Sequence, residues 1–195
     1  MKQTIIFFLL NLIVICGFSQ KIGVQINYGL PYNTTTDCSE PNFEAEAQAD
    51  YHIGKNFFVG GGFSYRSVGL SQTMLNFTYD RKELSIFASG FFKADLRSWL
   101  SIMPELRIGY AHIDYQLNQM NDKKQTTGGL CISEKINVAF RIIKDLHLTV
   151  GIAKHLIYTT LKASDLLRHY PAIYSDNPQI KVEQVCFDFG FMYMF

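Results

Sequence analysis

The chain has 195 residues, which is enough for one domain, and its 18 lysines and arginines nearly balance its 17 aspartates and glutamates, giving a formal net charge of +1. Residues 1–19 contain one base, Lys2, and no acid, so the remainder of the chain has a net charge of 0. That balance excludes the basic surface on which nucleic-acid-binding proteins depend, and we expect no nucleic-acid partner.

The first 20 residues, "MKQTIIFFLLNLIVICGFSQ", have the composition of a secretory signal. They begin with the basic Lys2, continue with an apolar run over residues 5–15, and end with small residues before Gln20. The apolar run is shorter than the about 20 residues that a membrane-spanning helix needs. We therefore expect residues 1–19 to be a cleaved signal peptide and residues 20–195 to be one barrel domain.

Aromatic and β-branched residues then alternate with polar ones, which is typical of strands. The alternation predicts eight strands, at residues 21–31, 43–53, 56–68, 82–93, 98–114, 127–142, 146–157 and 181–195. The connections after the second, fourth and sixth strands are short, whereas those after the odd-numbered strands are long and polar. All tight turns therefore lie at one end and all long loops at the other, as in outer-membrane barrels. The predicted fold class is all-β, an eight-stranded antiparallel up-and-down transmembrane barrel.

The two faces of the predicted strands differ in polarity. In the second strand, for example, Ala45, Ala47 and Tyr51 alternate with Glu44 and Glu46. An apolar inner face would suit a secreted lipocalin-like carrier. However, the interior of an eight-stranded barrel is only wide enough to be filled by side chains, which can pair there, whereas a lysine or arginine facing lipid costs about 2–4 kcal/mol near the midplane. We therefore expect the apolar face to point outward.

The polar face supplies a predicted charge network in the lumen, and its members are Glu44, Glu46, Asp50, Arg66, Glu105, Arg107, Lys135, Arg141 and Asp188. Glu83 lies on the same face. Aromatic girdles are expected near the ends of the strands on the outward face, at Tyr28, Tyr51, Phe57, Phe92, Trp99, Tyr110, Tyr193 and Phe195. Two residues do not fit the scheme, since Glu134 falls on the outward face and Pro104 interrupts a strand. We expect a bulge, an external position or a shifted register at each.

The chain ends in "VCFDFGFMYMF", with an aromatic residue at every second position. With this closing strand, the alternation before it and the signal-like start, the chain resembles the small outer-membrane β-barrel proteins of Gram-negative bacteria, a set that includes PorT-like and OmpA- or OmpX-like eight-stranded barrels. The resemblance implies an integral outer-membrane protein in contact with lipid and lipopolysaccharide. It also implies that the barrel assembly machinery reads the last strand as an insertion signal, formed by Phe187, Phe189, Phe191, Tyr193 and Phe195.

The resemblance further implies a non-enzymatic, porin-like barrel that acts as a structural or interaction protein through long external loops. In its PorT-like form, the protein is an accessory subunit of an envelope assembly or secretion machine, with another envelope protein as its partner. Residues 163–174 have near-helical apolar spacing within the longest loop, and they form either a short helix over the barrel mouth or a surface for that partner. No cofactor is implied.

Two alternatives remain. Some small outer-membrane barrels hydrolyse or acylate lipid A with a histidine near the external rim, and a general base of this kind must be oriented by a third group. His112 with Asp114, and His155 with Thr159 and Thr160, are the candidates for such a site. Because His112 falls on the outward face, we favour no catalytic residue. The other alternative, a small-solute pore, needs a wider lumen than eight strands enclose.

The cysteines indicate neither a disulfide framework nor a metal site. Cys38, Cys131 and Cys186 remain after residue 19, and they are odd in number and lack the spacing of metal ligands. We expect at least one free thiol. Three successive glycines at residues 60–62 lie inside a strand, which favours close backbone packing or a bend over a phosphate-binding loop.

Overall fold

The computed structural model describes residues 22–32, 42–53, 55–72, 77–117, 124–160 and 179–195. Its strands are β1 (Ile22–Pro31), β2 (Phe43–His52), β3 (Phe57–Gln72), β4 (Phe77–Phe92), β5 (Ala94–Arg97), β6 (Leu100–Leu117), β7 (Lys124–Arg141), β8 (Leu146–Thr160) and β9 (Gln179–Met194). Among the described residues, no helix has the length and apolar character needed to cross a membrane.

Eight of these strands close into an antiparallel barrel. β1 to β4 pair in succession, β4 pairs directly with β6, and β6 to β9 again pair in succession. β9 then pairs with β1 and completes the ring. β5 is a short additional strand that pairs with the start of β6. The predicted eight-stranded barrel is therefore confirmed, and its closure lets each strand of the wall hydrogen-bond to a neighbour on both sides.

Tight connections gather at one end of the barrel, here called the turn end. There Ile53 N donates to Phe57 O at 3.0 Å and Ile142 N donates to Leu146 O at 2.9 Å. Phe195 N donates to Ile22 O at 2.9 Å, so the last residue also lies at this end. The opposite end, here called the loop end, joins residues 33–41, 73–76, 118–123 and 161–178 to the strands. In outer-membrane barrels the turn end is periplasmic.

The strands are longer than predicted, and the difference lies at the loop end. β3 continues to Gln72 rather than residue 68, β4 begins at Phe77 rather than residue 82, and β6 continues to Leu117 rather than residue 114. At the turn end, predicted and observed bounds agree within two residues. In the extra segments, the parity that is apolar in the rest of each strand carries Ser71, Thr78, Asp80 and Gln116, so the alternation by which the strands were recognised is lost, although the backbones pair in the same register.

The side chains follow the predicted alternation across the wall. Along β2, Glu44, Glu46 and Asp50 are buried in the lumen, whereas Ala45 and Tyr51 are exposed on the outside. The aromatic residues expected in girdles are all exposed: Tyr28, Tyr51, Phe57, Phe92, Trp99, Tyr110, Tyr193 and Phe195. The barrel is thus apolar outside and polar inside.

Pro104 and Glu134 were expected to disturb this pattern, and for both residues that expectation was wrong. Pro104 pairs in regular register with Ile136, and Glu134 pairs with Leu106 on one side and Lys154 on the other. Both residues are exposed on the outer face. A proline lacks only its own backbone donor, so the strand tolerates it while the flanking pairs persist.

Three other predictions concern the free thiols, the three successive glycines and the regions outside the described residues. Cys131 and Cys186 are both free and buried, which confirms a free thiol. Gly62 faces the lumen, and a Cβ there would lie 2.9 Å from Phe87 Cζ, so its role is the close packing that was expected. The predicted signal peptide (residues 1–19), Cys38 and the segment 163–174 lie outside the described residues.

Candidate functional site

The centre of the lumen is crossed by Arg107, whose position on β6 directs its side chain inward. Its guanidinium binds Glu46 of β2 through both terminal nitrogens, with Nη2 to Oε1 at 2.8 Å. Arg107 Nε donates to Glu105 Oε1, also at 2.8 Å. The same guanidinium lies 4.5 Å from the centre of the Phe87 ring, a cation–π contact. One arginine therefore joins two carboxylates and an aromatic ring inside the barrel.

Lys135 of β7 adds a second bridge at this level. Its Nζ lies 3.3 Å from Glu46 Oε1 and 2.8 Å from Asp188 Oδ2. In the ring of eight paired strands, β7 and β2 are four strands apart, so they face each other across the lumen. The Lys135–Glu46 pair therefore spans the barrel interior.

A third group of charges lies nearer the loop end. Arg66 of β3 binds Glu44 of β2 with Nη2 to Oε1 at 2.9 Å, and binds Glu83 of β4 with Nη1 to Oε1 at 2.9 Å. Arg81 lies beyond Glu83, with its Nε 3.9 Å from Glu83 Oε2. Arg81 was missing from the predicted network because the predicted fourth strand began at residue 82. A strand begun earlier would have placed Arg81 on the same face as Glu83.

Asp50 differs from the other buried carboxylates because the side chains that donate to it are neutral. Gln48 Nε2 donates to its Oδ1 at 2.6 Å and Gln25 Nε2 donates to its Oδ2 at 3.1 Å. Ser89 Oγ adds a longer contact of 3.4 Å. Asp50 is therefore held in the lumen by hydrogen bonds rather than by an ion pair.

Arg141 does not belong to the lumen network, and its inclusion was wrong. Its position has the inward parity of Lys135, but it is the last residue of β7 and its side chain is exposed at the turn end. The alternation identifies the face on which a residue lies but not whether the wall extends far enough to bury it.

Two buried apolar clusters accompany the charges in the lumen. At the turn end, the buried cluster contains Phe58, Phe91, Met103, Ala139 and Met192. The rings of Phe58 and Phe91 stack with their centres 4.6 Å apart. Toward the loop end, the buried cluster contains Ala111, Ile113, Cys131 and Ile157. The charged network thus has one apolar cluster at its turn end and a second beside it on β6, β7 and β8, where Ile113 pairs with Glu83.

The histidines considered as catalytic candidates lie in different surroundings. His112 is exposed on the outer face, with its Nε2 3.7 Å from Asp114 Oδ1. His155 faces the lumen, where its Nδ1 lies 2.8 Å from Ser133 Oγ and its Nε2 lies 3.3 Å from Glu44 Oε2. Thr159, once considered its neighbour, instead shares a hydrogen bond of 2.8 Å with Thr127.

Ser133, His155 and Glu44 are the residue types of a hydrolase triad, and sequence spacing did not bring them together because they come from β7, β8 and β2. Catalysis also requires an approach for the substrate and donors for the developing oxyanion. Ser133 is only 5% exposed, and the apolar cluster containing Cys131 and Ile157 lies between it and the loop end. The arrangement is a buried polar chain within the lumen.

The outer face is mainly apolar, with charged residues such as Glu134 and Lys154 within it, and β9 supplies its most aromatic part. Phe187, Phe189, Phe191, Tyr193 and Phe195 point outward and are between 39% and 53% exposed. β9 is also the strand that closes the barrel, since it pairs with β1 on one side and β8 on the other. The five predicted signal residues therefore form one exposed row on the closing strand.

Comparison with known proteins finds similar folds but no relative by sequence. No protein-family model matches the chain, and no curated protein matches it. Among solved structures, the chain resembles Neisserial surface protein A with a TM-score of 0.60, 15% identity, and coverage of 91% of this chain and 98% of that chain.

Two further outer-membrane proteins give similar results. A major outer membrane protein of Thermus thermophilus has a TM-score of 0.52 and 10% identity over 89% of this chain and 99% of that chain. Outer Membrane Protein W of E. coli has a TM-score of 0.51 and 10% identity over 90% and 97%. The shared feature is the fold, which is that of integral barrels of the bacterial outer membrane.

Proposed function

We propose that this chain, which has the fold of integral outer-membrane barrels of bacteria, is a non-enzymatic barrel with a plugged lumen that presents its loop end to a partner. The observation that carries the proposal is the Lys135–Glu46 bridge across the lumen, together with Arg107 at the same level. Buried ion pairs of this kind fill the interior and hold opposite strands together. The wall then serves as a rigid support for its loops.

Long segments at one end of a rigid barrel suit recognition, because binding residues concentrate on loops that a scaffold positions. The 18 residues 161–178 join β8 to β9, and residues 33–41 join β1 to β2. Both segments leave the barrel at the loop end, which is external in outer-membrane barrels. In the PorT-like form of the proposal, they bind another envelope protein, and this chain is an accessory subunit of an assembly or secretion machine.

The test is affinity purification of the tagged protein from its native outer membrane after mild crosslinking. A partner recovered in stoichiometric amount is expected, and replacing residues 161–178 with a glycine-serine linker should abolish its recovery. The matched control replaces residues 118–123, at the same end, with such a linker. A folded barrel recovered alone would contradict the partner, and loss of the partner in both variants would contradict the assignment to residues 161–178.

The plugged lumen has its own test. In a planar bilayer the folded protein should show no stable single-channel steps, because the charged network and the two apolar clusters fill the interior. Stable steps would favour a small-solute pore. An enzyme would be favoured if cells with the unchanged protein contain modified lipid A and cells that make folded His155→Ala do not.

The last strand is proposed as the signal for the barrel assembly machinery. Removing Phe195 should reduce the amount of folded protein in cells while leaving folding into detergent micelles unchanged. Phe92→Ala is the control, because Phe92 is an exposed aromatic residue at the same end but on β4. If both variants reduce the amount of folded protein in cells equally, Phe195 acts only as an exposed aromatic residue and not as an insertion signal.

A further inference from the structure

Three potential metal ligands converge inside the barrel, where the charged group around Arg66 meets β8 and β9. Glu44 of β2, His155 of β8 and Cys186 of β9 are all buried, with exposures of 2%, 3% and 0%. One carboxylate oxygen, one ring nitrogen and the sulfur lie within 4.8 Å of one another. An imidazole nitrogen, a thiolate sulfur and a carboxylate oxygen are the ligand types that Zn²⁺ takes in proteins.

The orientation of His155 is the second observation. Its Nδ1 is engaged with Ser133 Oγ at 2.8 Å, whereas its buried Nε2 makes no well-directed hydrogen bond, although Glu44 Oε2 lies 3.3 Å away. In the tautomer that donates from Nδ1 to Ser133, the Nε2 lone pair points toward Glu44 and Cys186. Histidines that bind metals commonly have their second nitrogen held in this way.

The charges of the lumen favour a cation. Among the residues whose burial is described, six buried carboxylates line the barrel wall: Glu44, Glu46, Asp50, Glu83, Glu105 and Asp188. Four buried cations accompany them: Arg66, Arg81, Arg107 and Lys135. The remaining buried base, Lys93, lies at the turn end and pairs with Asp95 at 2.9 Å. Buried carboxylates therefore outnumber buried cations by two over the described lumen as a whole.

Arg66 holds both oxygens of Glu44, the second through a longer hydrogen bond. Its Nη2 donates to Glu44 Oε1 at 2.9 Å, and its Nη1 donates to Glu83 Oε1 at 2.9 Å. The other oxygen, Oε2, lies between Arg66 Nε and His155 Nε2, at 3.3 Å from each. Arg66 thus orients the carboxylate, while Glu83 offsets its charge.

We propose that Glu44 Oε2, His155 Nε2 and Cys186 Sγ form a three-ligand site for a divalent transition metal of the Zn²⁺ type. On binding, the Cys186 thiol loses its proton to solvent and the thiolate donates an electron pair to the metal, so the site gains one positive charge. The metal links β2 to β8 and β9 inside the lumen and stabilises the closed barrel. This inference is independent of the partner proposed for the loops.

The test uses Co²⁺ as a coloured substitute for Zn²⁺, on the full chain purified in folded form and carrying Cys16→Ser and Cys38→Ser. We expect one Co²⁺ per chain, a thiolate-to-cobalt absorption band and displacement by Zn²⁺. Cys186→Ser should remove the band. Cys131→Ser should retain it, because Cys131 is also a buried lumen cysteine but lies beside Ser133 rather than in the site.

Three further variants keep the test decisive if Cys186→Ser does not fold, which the heat-dependent gel shift would reveal. Zn²⁺ should raise the unfolding temperature of the parent and of Cys131→Ser but not of Glu44→Gln or His155→Gln. Ser133→Ala should weaken Zn²⁺ binding by about 10–100-fold, since Ser133 positions His155. A folded parent that binds neither Co²⁺ nor Zn²⁺, or a thiolate band that persists in Cys186→Ser, would overturn the proposal.

Discussion

Glu46 and Glu134 are the same residue type on opposite sides of one barrel wall. Glu46 points inward and is bound by Arg107 and Lys135. Glu134 points outward among Leu106, Ile136 and the other apolar side chains of the lipid-facing surface, with Lys154 opposite it on β8. The inner carboxylate is stabilised by cations that the barrel holds in place, whereas the outer one faces a medium that solvates charge poorly. Orientation therefore decides whether an acid stabilises this wall.

Breaking the inner network should have the largest effect. Arg107→Met removes the cation shared by Glu46 and Glu105 and leaves both carboxylates in the lumen. Loss of one partner from a buried ion pair costs about 3–5 kcal/mol, so we expect a loss of that order in the free energy of unfolding. Urea titration of the folded barrel in lipid vesicles measures it.

Arg141→Met is the matched control for Arg107→Met, because it removes the same charge from an exposed position at the turn end. It should change the free energy of unfolding by less than about 1 kcal/mol. Equal losses for the two variants would mean that the lumen network does not stabilise the barrel.

Adding a charge to the outer face should have the next largest effect. Ile152 of β8 is 53% exposed among the apolar side chains of the outer face. Ile152→Arg should lower the free energy of unfolding in vesicles by about 2–4 kcal/mol if it lies near the midplane of the bilayer. Lys154→Arg, two residues along the same face, keeps the existing charge and should be nearly neutral. An unchanged stability of Ile152→Arg would show that this face does not contact lipid.

Removing the outer carboxylate should have a smaller and opposite effect. Glu134→Leu restores the apolar face of β7 and should raise the free energy of unfolding in vesicles, by less than the about 2–4 kcal/mol associated with a lipid-facing lysine or arginine. Ile136→Leu is the control on the same strand. A loss of stability on Glu134→Leu would indicate that Glu134 has a specific partner in the membrane.

The smallest effect concerns a carboxylate outside the membrane-spanning wall. Ser101 Oγ donates to Asp95 Oδ1 at 2.6 Å, and this bond, with the nearby Lys93 cation, lowers the pKa of Asp95 from its ordinary value of 3.8. Asp95 therefore stabilises the fold above about pH 4, and the contribution disappears as pH falls through the lowered pKa.

Asp95→Asn should consequently reduce stability slightly at pH 7, and parent and variant should become equal below the folded-state pKa of Asp95. The difference should be small because the Asp95 side chain is 52% exposed and solvent screens its charge. Unfolding curves of both proteins at a series of pH values show whether the difference in their stability shrinks as pH falls. A difference that grows as pH falls would contradict this account.

The comparison between the faces also shows where sequence reasoning fails. The period of two placed Glu44, Lys135 and Asp188 on the lumen side, but it also placed Arg141 there, although the wall ends at that residue. Arg81 was missed for the opposite reason, since the strand continues through residues 77–81, where the outward parity carries Thr78 and Asp80 instead of apolar residues. Alternation reports the face of a residue, and only the paired backbone reports where burial begins and ends.

The sequence by itself determined the strands, their order and the apolar outer surface, because each of these follows from local alternation and from the lengths of connections. The tertiary structure decided which charges meet. Glu46 is joined to Lys135 across the lumen, and Ser133, His155 and Glu44 come together from three strands. Such contacts depend on the register and closure of the whole ring, which no local pattern contains.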